Sequence, residues 1–275
     1  MNPHRAHPFS IVALLVSVWS NRRLILQMTK RDVIGRYRGS VLGILWSLFN
    51  PLLMLAVYTF VFSVVFKARW GTASDSKTEF AIVLFAGMIA FGLFVECINR
   101  APGLVVSNVI YVKKVIFPLE ILPWVILGGA VFHASISFAV LMIFYLLVNQ
   151  MLHWTMLLTP LVLLPLLLMA MGLSWFLSAL GVYLRDVGQT VVLFTSVLMF
   201  LSPIFYPVSS LPEGYRFLLM LNPLSYMIEE MRNVLIFGRL PDWTMLGLYT
   251  VGCAIIAWLG FAFFQKARNG FADVL

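Results

Sequence analysis

The chain has 275 residues, of which 61% are hydrophobic and 11% charged, and it carries a formal net charge of +8. Soluble domains run nearer about 45–50% apolar and about 25% charged, so the composition argues against a water-soluble globule. The two cysteines, Cys97 and Cys253, lie in apolar segments with neither CxxC spacing nor a histidine cluster, and so give no support to a disulfide framework or a zinc site.

Residues 1–40 are basic and carry isolated apolar residues (Leu24, Ile25, Leu26, Met28, Val33, Ile34, Tyr37) among Arg and Lys. The apolar run from Phe9 to Trp19 follows Arg5 as a signal peptide's would. No small-x-small cleavage site follows it, however, and it leads straight into Asn21-Arg22-Arg23. A segment lying in the membrane interface is the expectation here. Six stretches free of Asp, Glu, Lys and Arg come next: 41–66, 80–95, 121–148, 155–184, 187–206 and 243–264. Five of them reach the roughly 19 residues a helix needs to cross about 30 Å of hydrocarbon. The second carries on through Glu96 and Arg100 to about Val106. The first contains Asn50-Pro51, which removes a backbone donor and is expected to bend it.

The links at 67–79 and 149–154 are short and polar, as between antiparallel neighbours. The stretch 207–242 is punctuated by Pro207, Pro212, Pro223 and Pro241, and its apolar pieces suit short helices that dip into the outer leaflet or cap the bundle. The expected fold is an all-α membrane protein with six transmembrane helices, an N-terminal interfacial helix, and short external re-entrant or cap helices between spans five and six. It reads as one domain over 1–275, with an interfacial segment at 1–40, a bundle at 41–266 and a cap at 207–242.

The distribution of charge decides more than its sum. With the N-terminus inside, 13 of the 19 basic residues lie in inside segments, and the outside ones are offset by Asp and Glu, so the positive-inside rule selects an N-in, C-in topology. Nucleic acid is not needed to explain the basic balance.

Chemistry is sparse. There is no G-x-x-x-x-G-K-[ST] and no Gly-Lys pair, so any ATP hydrolysis belongs to another chain. H-E-x-x-H and G-x-S-x-G are absent too, leaving no catalytic residues and no metal ligands to nominate. Among four scattered histidines, His133 in the third span reads as a hydrogen-bonded packing residue rather than a proton relay. Glu96 and Arg100 are spaced i, i+4 and share a helix face. They are either a structural pair or an ion or headgroup contact at the cytoplasmic mouth. Of the aromatics, which make up 15% of the chain, those at span ends are assigned to the interfacial belt. Mid-span Tyr58 and Phe200 remain as pore-lining candidates, where rings can stack on sugar faces.

Residues 31–52, Arg-Asp-Val-Ile-Gly-Arg-Tyr-Arg-Gly-Ser-Val-Leu-Gly-Ile-Leu-Trp-Ser-Leu-Phe-Asn-Pro-Leu, resemble the opening signature of the membrane subunit of ABC-2 type polysaccharide exporters. Asn108 with Lys113-Lys114-Val115-Ile116-Phe117-Pro118-Leu119-Glu120 resembles that family's link between spans two and three, and Tyr183-Leu184-Arg185-Asp186-Val187 its turn before the fifth. Ser202-Pro203-Ile204-Phe205-Tyr206-Pro207 followed by Asn222-Pro223 resembles its external cap. The resemblance implies a homodimer in the bacterial inner membrane, with an ABC ATPase dimer beneath that binds ATP and Mg, exporting a polyprenyl-pyrophosphate-linked polysaccharide such as O-antigen.

By motif, Arg31, Asp32, Arg36, Tyr37 and Arg38 fall in the interfacial helix. Cations there suit a carrier pyrophosphate, and they also serve as topology determinants. Asn108, Lys113, Lys114, Phe117, Pro118 and Glu120 fall in the segment that would couple to the ATPase. Capsule or teichoic acid is the rival cargo. A glycosyltransferase acting on a polyprenyl-linked sugar is the rival class, disfavoured by few and poorly clustered acids. A proton-coupled carrier would have to work with little more than Glu96 and His133.

Overall fold

The computed structural model describes residues 10–65, 77–113, 117–210, 212–220 and 222–275. Among the described residues all regular secondary structure is helical, with no strand. The helices, in chain order, are α1 (Ile11–Tyr37), α2 (Trp46–Tyr58), α3 (Lys77–Arg100), α4 (Val109–Lys113), α5 (Leu122–Asn149), α6 (Thr159–Tyr183), α7 (Val187–Phe200), α8 (Glu213–Met220), α9 (Pro223–Leu235), α10 (Trp243–Ala267) and α11 (Phe271–Val274).

Among the described residues, five helical stretches are long and apolar enough to cross a membrane: Gly43–Phe62, Glu79–Arg100, Leu119–Asn149, Trp154–Tyr183 and Trp243–Val274. The second ends at Arg100 rather than near Val106. The expected fifth span, 187–206, is a helix of only 14 residues that stops at Phe200. At about 1.5 Å per residue it covers roughly 21 Å, short of the hydrocarbon thickness. It stops because Pro203 cannot donate to the ladder, while side chains from elsewhere take up the end of the helix. The Asn222 amide donates to Leu201 O and Ser202 Oγ, and Arg232 donates to Pro203 O and Ile204 O.

α1 is one continuous helix of 27 residues, capped by the Ser10 hydroxyl accepting from Val12 N. It lies along the start of α5 so closely that a Cβ on Gly128 would sit 2.8 Å from the Thr29 side chain. Pro51 lies buried inside α2 without ending it. The path departs from α geometry further on, where Thr59–Val65 is wound as a π-helix.

α3 is the central helix, packed by α2, α5, α6, α7 and α9. α6 and α10 form the tightest crossing. Gly172 and Gly260 face one another there, and a Cβ on either would overlap the other helix's backbone. Small residues permit this approach, which dispersion then rewards in place of the hydrophobic effect. Around the crossing, Trp175 packs edge-on to Phe261, 5.3 Å between ring centres, and to Trp124 at 6.1 Å.

α9 packs its buried face, including Leu224, Met227, Ile228, Met231 and Val234, against α3 and α6. Thr155 Oγ1 and Tyr145 Oη donate to Val234 O and Ile236 O, tying α9 to the starts and ends of α6 and α5. One end of the bundle thus holds α1, the end of α3 and the start of α5. The other holds α9, the start of α3 and the end of α5.

Candidate functional site

The last two turns of α1 deliver Asp32, Arg36 and Tyr37 against Glu96 and Arg100 of α3 and His133 of α5. Asp32 Oδ1 accepts from Arg100 Nη2 at 2.6 Å, and its Oδ2 accepts from Arg36 Nη2 at 3.1 Å. Arg36 Nη1 pairs directly with Glu96 Oε1. His133 Nδ1 lies 3.1 Å from Glu96 Oε2, and Tyr37 Oη lies 2.9 Å from His133 Nε2. Carboxylate on one ring nitrogen and phenol on the other fit an Nδ1–H tautomer, with the phenol donating to Nε2.

The i, i+4 partners Glu96 and Arg100 are the loosest contact of the set, at 3.8 Å. Tertiary partners from α1 have outcompeted the local pair. The four charged side chains are 20–32% exposed, and two carboxylates answer two guanidiniums. At Asp32, burial acts to raise the carboxyl, but the hydrogen bonds and charges of Arg100 and Arg36 outweigh it and hold it below the usual carboxylate range. Arg36 is raised in turn, because Glu96 and then Asp32 overcome its own burial.

Beside this network lies a cavity of about 480 Å³, whose lining includes polar Arg31, Asp32, Asn99, Arg100, Ser107 and Asn108 and apolar Met28, Leu104, Leu122, Val125 and Ile126. Arg31 donates to Tyr111 Oη at 3.1 Å. It adds a positive charge where the two neighbouring carboxylates are already matched, so the cavity lining combines a surplus cation, which favours an anion, with apolar side chains. Arg38 lies exposed just past the end of α1.

The segment after α3 is pinned at its far side. Phe117 is buried and stacks on Tyr111 with ring centres 4.4 Å apart, followed by the half-buried Pro118. Glu120 has both carboxylate oxygens engaged. Ser17 Oγ donates to Oε1 at 2.9 Å, and Arg268 Nη1 pairs with Oε2 at 2.7 Å. Lys113 is exposed at the end of α4, Asn108 donates inward to Leu104 O at 2.9 Å, and Lys114 lies outside the described residues.

The two aromatic candidates belong to one row. Tyr58 neighbours Phe62 at 6.5 Å, Phe62 stacks on Phe205 at 5.9 Å, and Phe205 stacks on Phe200 at 5.9 Å. Tyr58 also lines a groove of about 150 Å³ together with Asn50, Met88 and Ser137.

Residues 23–236 match the family of ABC-2 type transporters. The chain belongs to that family. Similar proteins include an O-antigen export system permease protein RfbA of Klebsiella pneumoniae, 27% identical over 92% of this chain and 95% of the relative. Another protein of that name, from Myxococcus xanthus, is 24% identical over 96% of this chain and 99% of the relative. The polysialic acid transport protein KpsM of Escherichia coli is 20% identical over 87% of this chain and 91% of the relative.

In this ABC-2 transporter subunit, motif reading passed over two residues that hold this end together and one, Arg232, that does so at the α9 end. His133, read as a packing residue, joins Tyr37 to Glu96. Arg268, counted only as an inside charge, reaches Glu120 and donates to Phe117 O at 2.8 Å. Arg232, counted only as an outside charge, is fully buried. It donates to Val83 O, Pro203 O and Ile204 O at 3.0, 2.6 and 2.9 Å, and to Glu229 at 2.9 Å. Burial pulls the Arg232 guanidinium down to about 10, against the opposing charge of Glu229, so it stays protonated at neutral pH. Gly87 makes room for it, since a Cβ there would lie 2.7 Å from Arg232 Nη2. The one local signal for Arg232 was its i, i+3 spacing from Glu229 on an amphipathic helix.

Proposed function

We propose that this chain is the membrane permease of an ATP-driven exporter that moves a lipid-linked polysaccharide of the O-antigen class outward across the bacterial inner membrane. The observation that carries the reading is similarity over nearly the whole chain to two O-antigen export permeases, together with the family match. In this reading two copies enclose the pore, and a separate ABC ATPase dimer holds ATP and Mg and docks on the segment containing Asn108, Lys113, Lys114 and Phe117. The chain itself catalyses no covalent step.

Both termini are inside in the proposed topology, α1 lies in the inner interface, α7 with the residues after it makes a sixth crossing, and residues 207–242 form the periplasmic cap. The cavity between α1 and the end of α3 supports a carrier site: Arg31 and Arg100 suit a pyrophosphate, and the apolar lining of Leu104, Val125 and Ile126 suits a polyprenyl chain. Arg38 adds a further exposed cation beside it. The aromatic row through Tyr58 and Phe200 suits passage of sugar faces without a fixed charge to trap them. Similarity to KpsM favours capsular polymer as the second reading of the cargo.

The test is deletion in the host with fractionation and glycan blotting. Full-length polymer retained inside on its lipid carrier and missing from the surface is expected. Absence of all polymer would point to a glycosyltransferase, and normal surface polymer would overturn the export reading.

A further inference from the structure

We infer that Glu120 and Arg268 form a latch that transmits movement of the ATPase-docking segment into the bundle, acting as positioning residues for transport. The inference rests on the proposed docking role of residues 106–120. A solvated loop would swing without consequence for the helices. This segment instead ends in a root held by three separate elements. Ser17 of α1 donates to one Glu120 oxygen at 2.9 Å, and Arg268, just after α10, binds the other at 2.7 Å. The Trp175 indole of α6 donates to Glu120 O at 3.0 Å. Arg268 also forks back to Phe117 O at 2.8 Å, so one guanidinium grips both ends of the turn that leads into α5.

The Glu120 and Arg268 side chains are only 13% and 17% exposed. In that setting a charged pair is directional and poorly screened, and its bonds specify a register that apolar packing would leave loose. Arg268 itself stands on a firm base. Tyr183 Oη, at the end of α6, donates to Ala267 O at 2.7 Å, and Phe271 beyond it is fully buried. Displacement of the docking segment is therefore felt at the ends of α1, α6 and α10 together. A partner shifts a conformational equilibrium only through contacts that differ between its states, and this root is where such a difference enters the helices.

The experiment uses the permease with its ATP-hydrolysing partner in proteoliposomes, in a Lys113→Cys background for cross-linking to that partner, the native Cys97 and Cys253 being buried. Arg268→Gln is expected to keep the cross-link and hold ATP hydrolysis within about twofold while export per ATP falls about tenfold, a usual size for coupling between sites. Arg268→Lys keeps the charge but loses the fork, and is expected to recover part of that loss. Arg239→Gln, the same change at an exposed residue near the other end, is expected to leave export per ATP unaltered.

Equal falls in hydrolysis and export, or no change in either, would overturn the latch. If Arg268→Gln does not accumulate, the hydrolysis-to-export ratio of Arg268→Lys decides: an unchanged ratio overturns the latch. Failure of Lys113→Cys to cross-link in the otherwise unaltered permease would instead remove the docking reading on which the latch depends.

Discussion

The two ends of the bundle handle buried charge in opposite ways. At the α1 end, two carboxylates and two guanidiniums share one network with His133 and Tyr37, each 20–32% exposed where charged, so the groups can exchange partners and reach water. At the α9 end a single guanidinium, Arg232, is wholly enclosed and spends three of its bonds on backbone carbonyls. The first arrangement suits an interface that must move, because alternative pairings are within reach. The second suits a fixed brace: carbonyls freed where α7 breaks have nowhere else to turn, and an unpaired buried polar group costs free energy comparable to a lost hydrogen bond.

That contrast predicts the largest effect at Arg232. Arg232→Met leaves the buried carbonyls of Pro203 and Ile204 without their guanidinium donor and removes the second bond to Val83 O, and should cost about 3–5 kcal/mol. Thermal unfolding in detergent should show this as a large fall in midpoint. Arg232→Lys should rescue little, since one ammonium cannot reach three carbonyls on two segments.

Glu96→Gln should cost less, about 1–3 kcal/mol, because Arg36 and Arg100 keep Asp32 and part of their solvation. The same measurement checks it, and a loss equal to that of Arg232→Met would erase the distinction between the two ends. The smallest effect concerns pH. The Asp32 carboxyl is lowered on folding, so its stabilisation is fully present above the ordinary carboxylate value of 3.8 and is lost only as pH falls through the lower folded value. Wild-type stability should thus hold the Asp32 contribution from pH 7 to pH 5. The gap between wild type and Asp32→Asn should close only as pH falls below about 3.8, through the lower folded value.

Much of this was legible from residue order. The charge-free stretches from 41, 80, 121, 155 and 243 correspond to the five long apolar helices, because lipid tolerates neither free backbone groups nor unpaired charge. The stretch at 187–206 is apolar throughout, but where its helix ends was not legible in composition: Pro203 and the donors from Asn222 and Arg232 end it at Phe200. The motif at 31–38 lies at the end of α1 and gave no sign of the partners its side chains meet there. Spacing made Arg100 the neighbour of Glu96; the fold brought Arg36 and His133 closer.

By itself, then, the sequence determined that the chain is helical and which helices are long and apolar enough to cross a membrane. Those properties follow from hydropathy and backbone hydrogen bonding, both local along the chain. Which charges meet, which carbonyls need a guanidinium, and which acid anchors the 106–120 segment depended on helix crossings such as Gly128 against Thr29 and Gly172 against Gly260. A Coulombic partner is chosen by distance through space, and only the packed bundle sets that distance.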